Sequence, residues 1–136
     1  MDDLFKTFRI SAAGMKAQGA RLRVISENLA NANSMPTEPG QMPYRRKVVT
    51  FKNELDRATG ADLVSVDRIN TDTSAFKLKY DPAHPAADEN GYVKAPNVNS
   101  LIEMSDMREA QRSYEANLSV IKASKTMIQN TLGLLR

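Results

Sequence analysis

Few side chains in this sequence are equipped for chemistry. His84 is the single histidine, and cysteine is absent. A lone imidazole is the one group that ordinarily titrates near neutral pH. Without a second histidine or any thiolate, no Cys–His pair and no zinc-type ligand set can be assembled around it. His84 also lies in the run Asp81-Pro82-Ala83-His84-Pro85, a rigid turn that makes it a surface residue. Carboxylates are more plentiful: Glu103, Asp106, Glu109 and Glu115 crowd one stretch, with Lys122, Lys125 and Arg136 following. Acids early and bases late complement a helix dipole, so this arrangement reads as helix electrostatics rather than a paired-carboxylate site. The sharpest charge feature is Arg45-Arg46-Lys47. These three cations are read either as inter-subunit polar contacts to an acidic neighbour or as a solvated strand edge, where cations discourage unwanted pairing. No catalytic, metal or cofactor site follows from these residues, and the chain reads as a non-enzyme.

The composition narrows the class further. The chain has 136 residues, 41% hydrophobic and 26% charged, enough for one domain and typical of neither disordered nor membrane proteins. No apolar run approaches the ~18 residues that suggest a membrane span. The N-terminus opens on Asp2-Asp3 instead of the basic-then-apolar pattern of a cleavable secretory signal. Nineteen basic against 16 acidic residues leave a net charge of +3. That surplus is spread along the chain without the dense stripe of a nucleic-acid footprint, so no nucleic-acid partner is expected.

The elements that carry these residues are marked by proline. All six prolines, at 36, 39, 43, 82, 85 and 96, fall in the middle of the chain, and proline interrupts helix interiors. The flanks are therefore free to be long helices. Residues 1–33 and 100–136 are expected to form one helical core domain, with 34–99 a proline-containing loop and small β module. In the first flank one heptad row reads Met1, Phe8, Met15, Leu22, Leu29 and the other Leu4, Ser11, Gln18, Ile25, Ala32. In the last flank the rows are Met104, Gln111, Leu118, Lys125, Leu132 and Met107, Tyr114, Ile121, Ile128, Leu135. Such seams predict two helices paired as an antiparallel coiled coil. Ser100 and Glu103 have the spacing of a capping box at the start of the second helix. Asn31 and Asn33 mark the end of the first, as residues that readily take left-handed backbone. In between, 44–51, 63–66 and the alternating 76–80 are strand-like, and Asn90-Gly91 is a hairpin signal. The fold class is mainly α with a small β module.

Two paired helices leave about half of each exposed, and Phe5, Ile10, Val24, Leu101, Ile102, Val120 and Leu134 lie off the seams. Apolar surface this extended marks an interaction face. The expected assembly and packing residues are Leu22, Ile25, Asn28, Leu29, Met104, Met107, Tyr114, Leu118, Ile121, Ile128 and Leu132. Asn28, within the helix, is a candidate for a hydrogen bond to a neighbouring subunit. A head-to-tail interface of this kind generates a filament or tube, whereas a twofold one stops at a dimer.

Two stretches carry a resemblance. SAAGMKAQGARLRVISENLANANS (11–34) and EMSDMREAQRSYEANLSVIKASKTMIQNTLGLL (103–135) resemble the paired terminal helices of the bacterial flagellar axial (rod and hook) protein family. Within that family, PYRRKVVTF (43–51) and DPAHPAADENGYVKAPNVN (81–99) look like those of proximal rod members. Ser34 stands where threonine is often found. The resemblance implies a structural subunit of the basal-body rod, assembling into a helical tube that transmits motor torque toward the hook. It also implies proximal and distal rod subunits, the rod-to-export-gate/MS-ring adaptor and the flagellar type III export machinery as partners, with the rod spanning the periplasm. A coiled-coil adaptor or secreted translocator-type protein shares the helix physics but not the matched termini.

Overall fold

A computed structural model describes residues 2–136; Met1, the first member of one predicted heptad row, lies outside the described residues. Six elements follow in order: α1 (Asp2–Ala30), β1 (Lys47–Asp56), β2 (Ala61–Thr71), β3 (Lys77–Tyr80), β4 (Tyr92–Ala95) and α2 (Ser100–Leu134). Two long helices flank a small β part, as the proline distribution implies. No helix is long and apolar enough to cross a membrane. The chain divides into two compact units, one built from residues through Leu22 with Val49–Arg68 and Arg108–Arg136, the other from Arg23–Val48 and Ile69–Met107.

In the first unit the helices run antiparallel. Arg21 reaches Glu109 at 3.6 Å, Gly14 faces Asn117, and Phe5 and Phe8 lie across from Lys125, Ile128 and Gln129. Position falls along α1 as it rises along α2. The helices pack tightly at Gly14, where a Cβ would meet Asn117 Nδ2 at 2.7 Å. The buried residues of this unit are all small: Ser11, Ala17, Ala61, Ala110 and Ser124. β1 and β2 form a two-stranded sheet joined by a tight turn. Asp56 organises that turn: its carboxylate accepts from Ala58 N–H and the Thr59 hydroxyl, and its carbonyl accepts from Gly60 N–H at 2.7 Å. Gly60 takes φ +69° there, a conformation glycine supplies without a Cβ penalty.

The second unit has a heavier core of Val24, Ile25, Val93 and Val98 around the polar Asn28 and Glu103. β3 and β4 pair antiparallel with Leu78 opposite Lys94, Lys79 opposite Val93 and Tyr80 opposite Tyr92. The predicted alternation at 76–80 is present, but its apolar face points outward. Leu78 and Tyr80 are each about two-thirds exposed, and the Tyr80 and Tyr92 rings stack edge to face at 5.3 Å. The opposite face packs Val93 completely away from water. Asn90-Gly91 is not the tip of a two-residue hairpin. It closes the longer connection 81–91, where Asp81 N–H donates to the Gly91 carbonyl and Asp88 N–H to the Tyr92 carbonyl. His84 lies in this connection and accepts from Ala86 N–H at 3.0 Å through Nδ1.

Three local expectations are corrected at the helix ends. Ser100 is the first residue of α2, and its cap is Asn99, whose Oδ1 accepts from Leu101 N–H at 3.1 Å and Ile102 N–H at 3.5 Å. Glu103 does not reach back to close a capping box, because its carboxylate is claimed by Arg46. At the end of α1, Asn31 stops the helix without entering the left-handed region: no described residue other than glycine has positive φ. Instead the Asn31 side chain donates to the Glu27 carbonyl at 2.9 Å, beside the Asn31 main-chain N–H that donates to the same oxygen at 3.1 Å.

Candidate assembly surface

The polar centre of the second unit begins at Asn28, in the last turns of α1 and 1% exposed. Its Nδ2 donates to the Lys47 carbonyl at 2.9 Å and to Glu103 Oε2 at 3.4 Å. Its Oδ1 accepts from the Tyr44 hydroxyl at 2.7 Å and from Lys47 N–H at 2.9 Å. An amide side chain offers two donors and two acceptor positions, and all four are filled within the chain. In the single chain the Asn28 amide thus bonds to its own chain rather than presenting a free group at the surface. Burial comes first among the causes that raise the Tyr44 phenol to about 12, and the charges of Glu27 and Glu103 add to it.

Arg46 joins the same cluster from the start of the β segment. Its Nε pairs with Glu103 Oε1, Nη1 lies 3.4 Å from Asp72 and Nη2 3.8 Å from Asp106. Burial works against the guanidinium charge, but the hydrogen bonds and charges of Glu103 and Asp72 outweigh it and hold the group above its usual range. Asp72 is held below the ordinary carboxylate range, first by the Ser74 N–H and hydroxyl and then by Arg46. Lys47 pairs with Glu27 at 2.6 Å. Arg45 donates to the Asp72 carbonyl at 2.9 Å and lies over the Phe76 ring, 4.2 Å from its centroid. Each of the three cations is engaged inside its own chain, with Lys47 and its partner Glu27 still partly open to water. Tyr44, Asp72, Asn97 and Glu103 complete this cluster, and no spacing in the sequence pairs them with Asn28 or Arg46.

The predicted packing residues fall into three groups. Ile25 and Asn28 are buried, whereas Met104 and Leu132 are half exposed. Leu22, Leu29, Met107, Tyr114, Leu118, Ile121 and Ile128 are half-buried. On α2 Met107, Tyr114, Ile121 and Ile128 are half-buried, whereas Leu135, the last member of that row, is exposed. The other row is displaced by one residue: Glu103, Ala110 and Ser124 are buried, whereas Met104, Gln111, Lys125 and Leu132 are exposed. On α1, Val24 is buried rather than off the seam. Several large apolar side chains of the first unit turn outward, with Phe5, Ile10 and Leu132 each about half exposed and Leu134 and Leu135 more so. A groove of about 430 Å³ between α1 and the β1–β2 sheet is lined by Ala13, Ala17, Leu55, Leu63 and Val66. Among the described residues, no group of three or more acidic or histidine side chains is placed to hold a metal ion.

An alanine- and serine-lined interior beneath exposed leucines and phenylalanines defines a class: a subunit whose apolar surface faces outward. Comparison with known proteins gives that class its family. The model described as "Flagella basal body rod protein" matches residues 8–34, and that of "Flagellar basal body rod FlgEFG protein C-terminal" matches residues 89–134. The chain is 51% identical to the flagellar basal-body rod protein FlgC of Agrobacterium fabrum, over 100% of this chain and 98% of that protein. It is 40% identical to the FlgC proteins of Borreliella burgdorferi, over 98% of each chain, and of Salmonella typhimurium, over 96% and 97%. The chain belongs to the flagellar basal-body rod protein family, and its role is that of a structural rod subunit assembled with other rod components.

Proposed function

We propose that this chain is a proximal rod subunit that contributes its terminal helices to the wall of a helical tube transmitting torque toward the hook. Residues 1–33 and 100–136 form the tube-building core in this reading, and 34–99 the module attached to it. The observation that carries the reading is the inversion of the first unit. Its fully buried positions are alanine and serine, whereas Phe5, Ile10, Leu132, Leu134 and Leu135 are largely exposed. Apolar burial stabilises by roughly 25 cal/mol per Å², and small side chains provide little area. Neighbouring subunits supply the missing cover, with Leu22, Leu29, Leu118, Ile121, Ile128 and Leu132 among the packing residues.

The partners in this reading are proximal and distal rod proteins and the adaptor between the rod, the MS ring and the export gate. In this reading the chain is delivered by flagellar type III export and works in the periplasm. It catalyses no reaction, and it needs neither nucleic acid nor membrane insertion. Leu132→Asp tests the surface, because this residue is half exposed and its replacement is expected to leave the helical content of the single chain unchanged. Swimming and recovery of basal bodies containing the subunit are the readouts. Loss of both with unchanged helical content supports the reading, and wild-type swimming overturns it.

A further inference from the structure

Ion pairs withdrawn from water are weak sources of stability, because desolvation offsets most of the Coulomb attraction. Their best-attested use is to fix one arrangement against close alternatives. Glu103 is such a group. It is 0% exposed, and its two oxygens are divided between different elements, Oε1 to Arg46 and Oε2 to Asn28 on α1. Asn28 in turn holds both polar main-chain atoms of Lys47. The adjoining Arg46 N–H donates to Asn97 Oδ1 at 2.7 Å, and the Arg46 side chain extends to Asp72 and Asp106. Two successive main-chain N–H groups, at Arg46 and Lys47, are thus bound by side chains from two different parts of the chain.

We infer that Asn28, Arg46 and Glu103 form an intrachain clasp whose role is positional. The clasp sets where residues 44–48 cross the end of α1 and the start of α2, and each subunit must bring that placement to the rod. These are positioning residues, closed within one chain before any neighbour arrives. An apolar core of equal volume would fill the space but would not dictate which main-chain atoms of 44–48 lie against α1. The assembly arm of this inference rests on the rod reading above; the arm read on the single chain does not.

Hydrogen exchange on the unassembled full-length chain addresses the single-chain arm. The Arg46 and Lys47 amides are expected to exchange on the order of a hundredfold more slowly than in an unstructured chain. Exchange at the unstructured rate overturns the clasp whatever the rod requires. The second arm is the double replacement R46M/E103L, which removes both charges together. Its expected signature is retained helical content and an unfolding midpoint close to wild type, with R46M and E103L alone more destabilised, yet no swimming and no rods. A double variant that swims as wild type shows that placement does not depend on the clasp. A double variant that fails to fold makes the pair a source of stability, which also overturns the positional role. Failure of the rod reading itself is separable, because it shows as wild-type swimming of Leu132→Asp with the amides still protected.

Discussion

The side-chain amide of Asn28 grips Lys47 at both of its main-chain polar atoms, donating to the carbonyl and accepting from the N–H, each at 2.9 Å. A helix side chain thereby occupies the position of a neighbouring strand at the first residue of β1. Asn28→Asp keeps the acceptors, loses both donors and aims a second carboxylate at Glu103. A buried group left without its partner costs about 1–3 kcal/mol, and the added like charge increases the loss. Urea unfolding should show Asn28→Asp less stable than parent by about 2 kcal/mol or more; equal stability would contradict the bonding described.

Replacement at the start of α2 separates the observed cap from the one the sequence suggests. Asn99→Ala removes the acceptor serving Leu101 and Ile102 and is expected to cost about 1 kcal/mol. Ser100→Ala should lie within about 0.5 kcal/mol of parent. Thermal melts of the two variants give the comparison, and the reverse order would restore Ser100 as the cap.

Two glycines of α1 should respond differently to alanine. Nothing lies within 4 Å of a Cβ at Gly19, whereas one at Gly14 meets Asn117 Nδ2 at 2.7 Å. Gly19→Ala is expected to stabilise by about 0.5–1 kcal/mol through lost chain entropy. Gly14→Ala should gain less, because the Asn117 amide must move aside. Pairing it with Asn117→Ala should recover the difference, and additivity in that double-mutant cycle would show that the two helices do not touch there.

Stability should depend on pH at both extremes. Tyr44 is raised to about 12, against about 10 for a free phenol. Its contribution is present in full below pH of about 10 and is lost as pH rises toward 12. Ultraviolet titration should therefore show one of the four tyrosines ionising well after the rest. Asp72 and Asp56 are displaced the other way, Asp56 first through the Thr59 hydroxyl. Their contributions are present above the ordinary carboxylate value of about 3.9 and vanish as pH falls through their lower folded values. Denaturation midpoints followed across both ranges check the two signs.

Much of this architecture is legible in the residue order. Proline placement gives the helix–β–helix plan, and the heptad row Met107–Tyr114–Ile121–Ile128 identifies one side of α2. The second row is misphased because hydrophobic periodicity favours large residues. Met104 and Leu132 therefore outrank Ala110 and Ser124, although small residues occupy the buried side. In β3 the alternation is right, but it does not tell which face is covered: all four residues, Lys77–Tyr80, are exposed. The cluster around Asn28 is least legible. Its members, Asn28, Tyr44, Arg46, Asp72, Asn97 and Glu103, come from distant stretches, and their pairing exists only once the chain has folded. Arg45-Arg46-Lys47 looks like a surface charge run because its partners, main-chain carbonyls and the Phe76 ring for Arg45 and carboxylates for Arg46 and Lys47, lie far away in sequence.

Arg46 holds its proton more firmly than a free guanidinium, and Asp72 gives up its charge only below the ordinary carboxylate range. The Arg46–Asp72 arm of the fastening is therefore buffered by its own chemistry. Shifts between neutral and mildly acidic or alkaline surroundings leave it fully charged, and a cell that swims from one medium into another does not loosen this buckle.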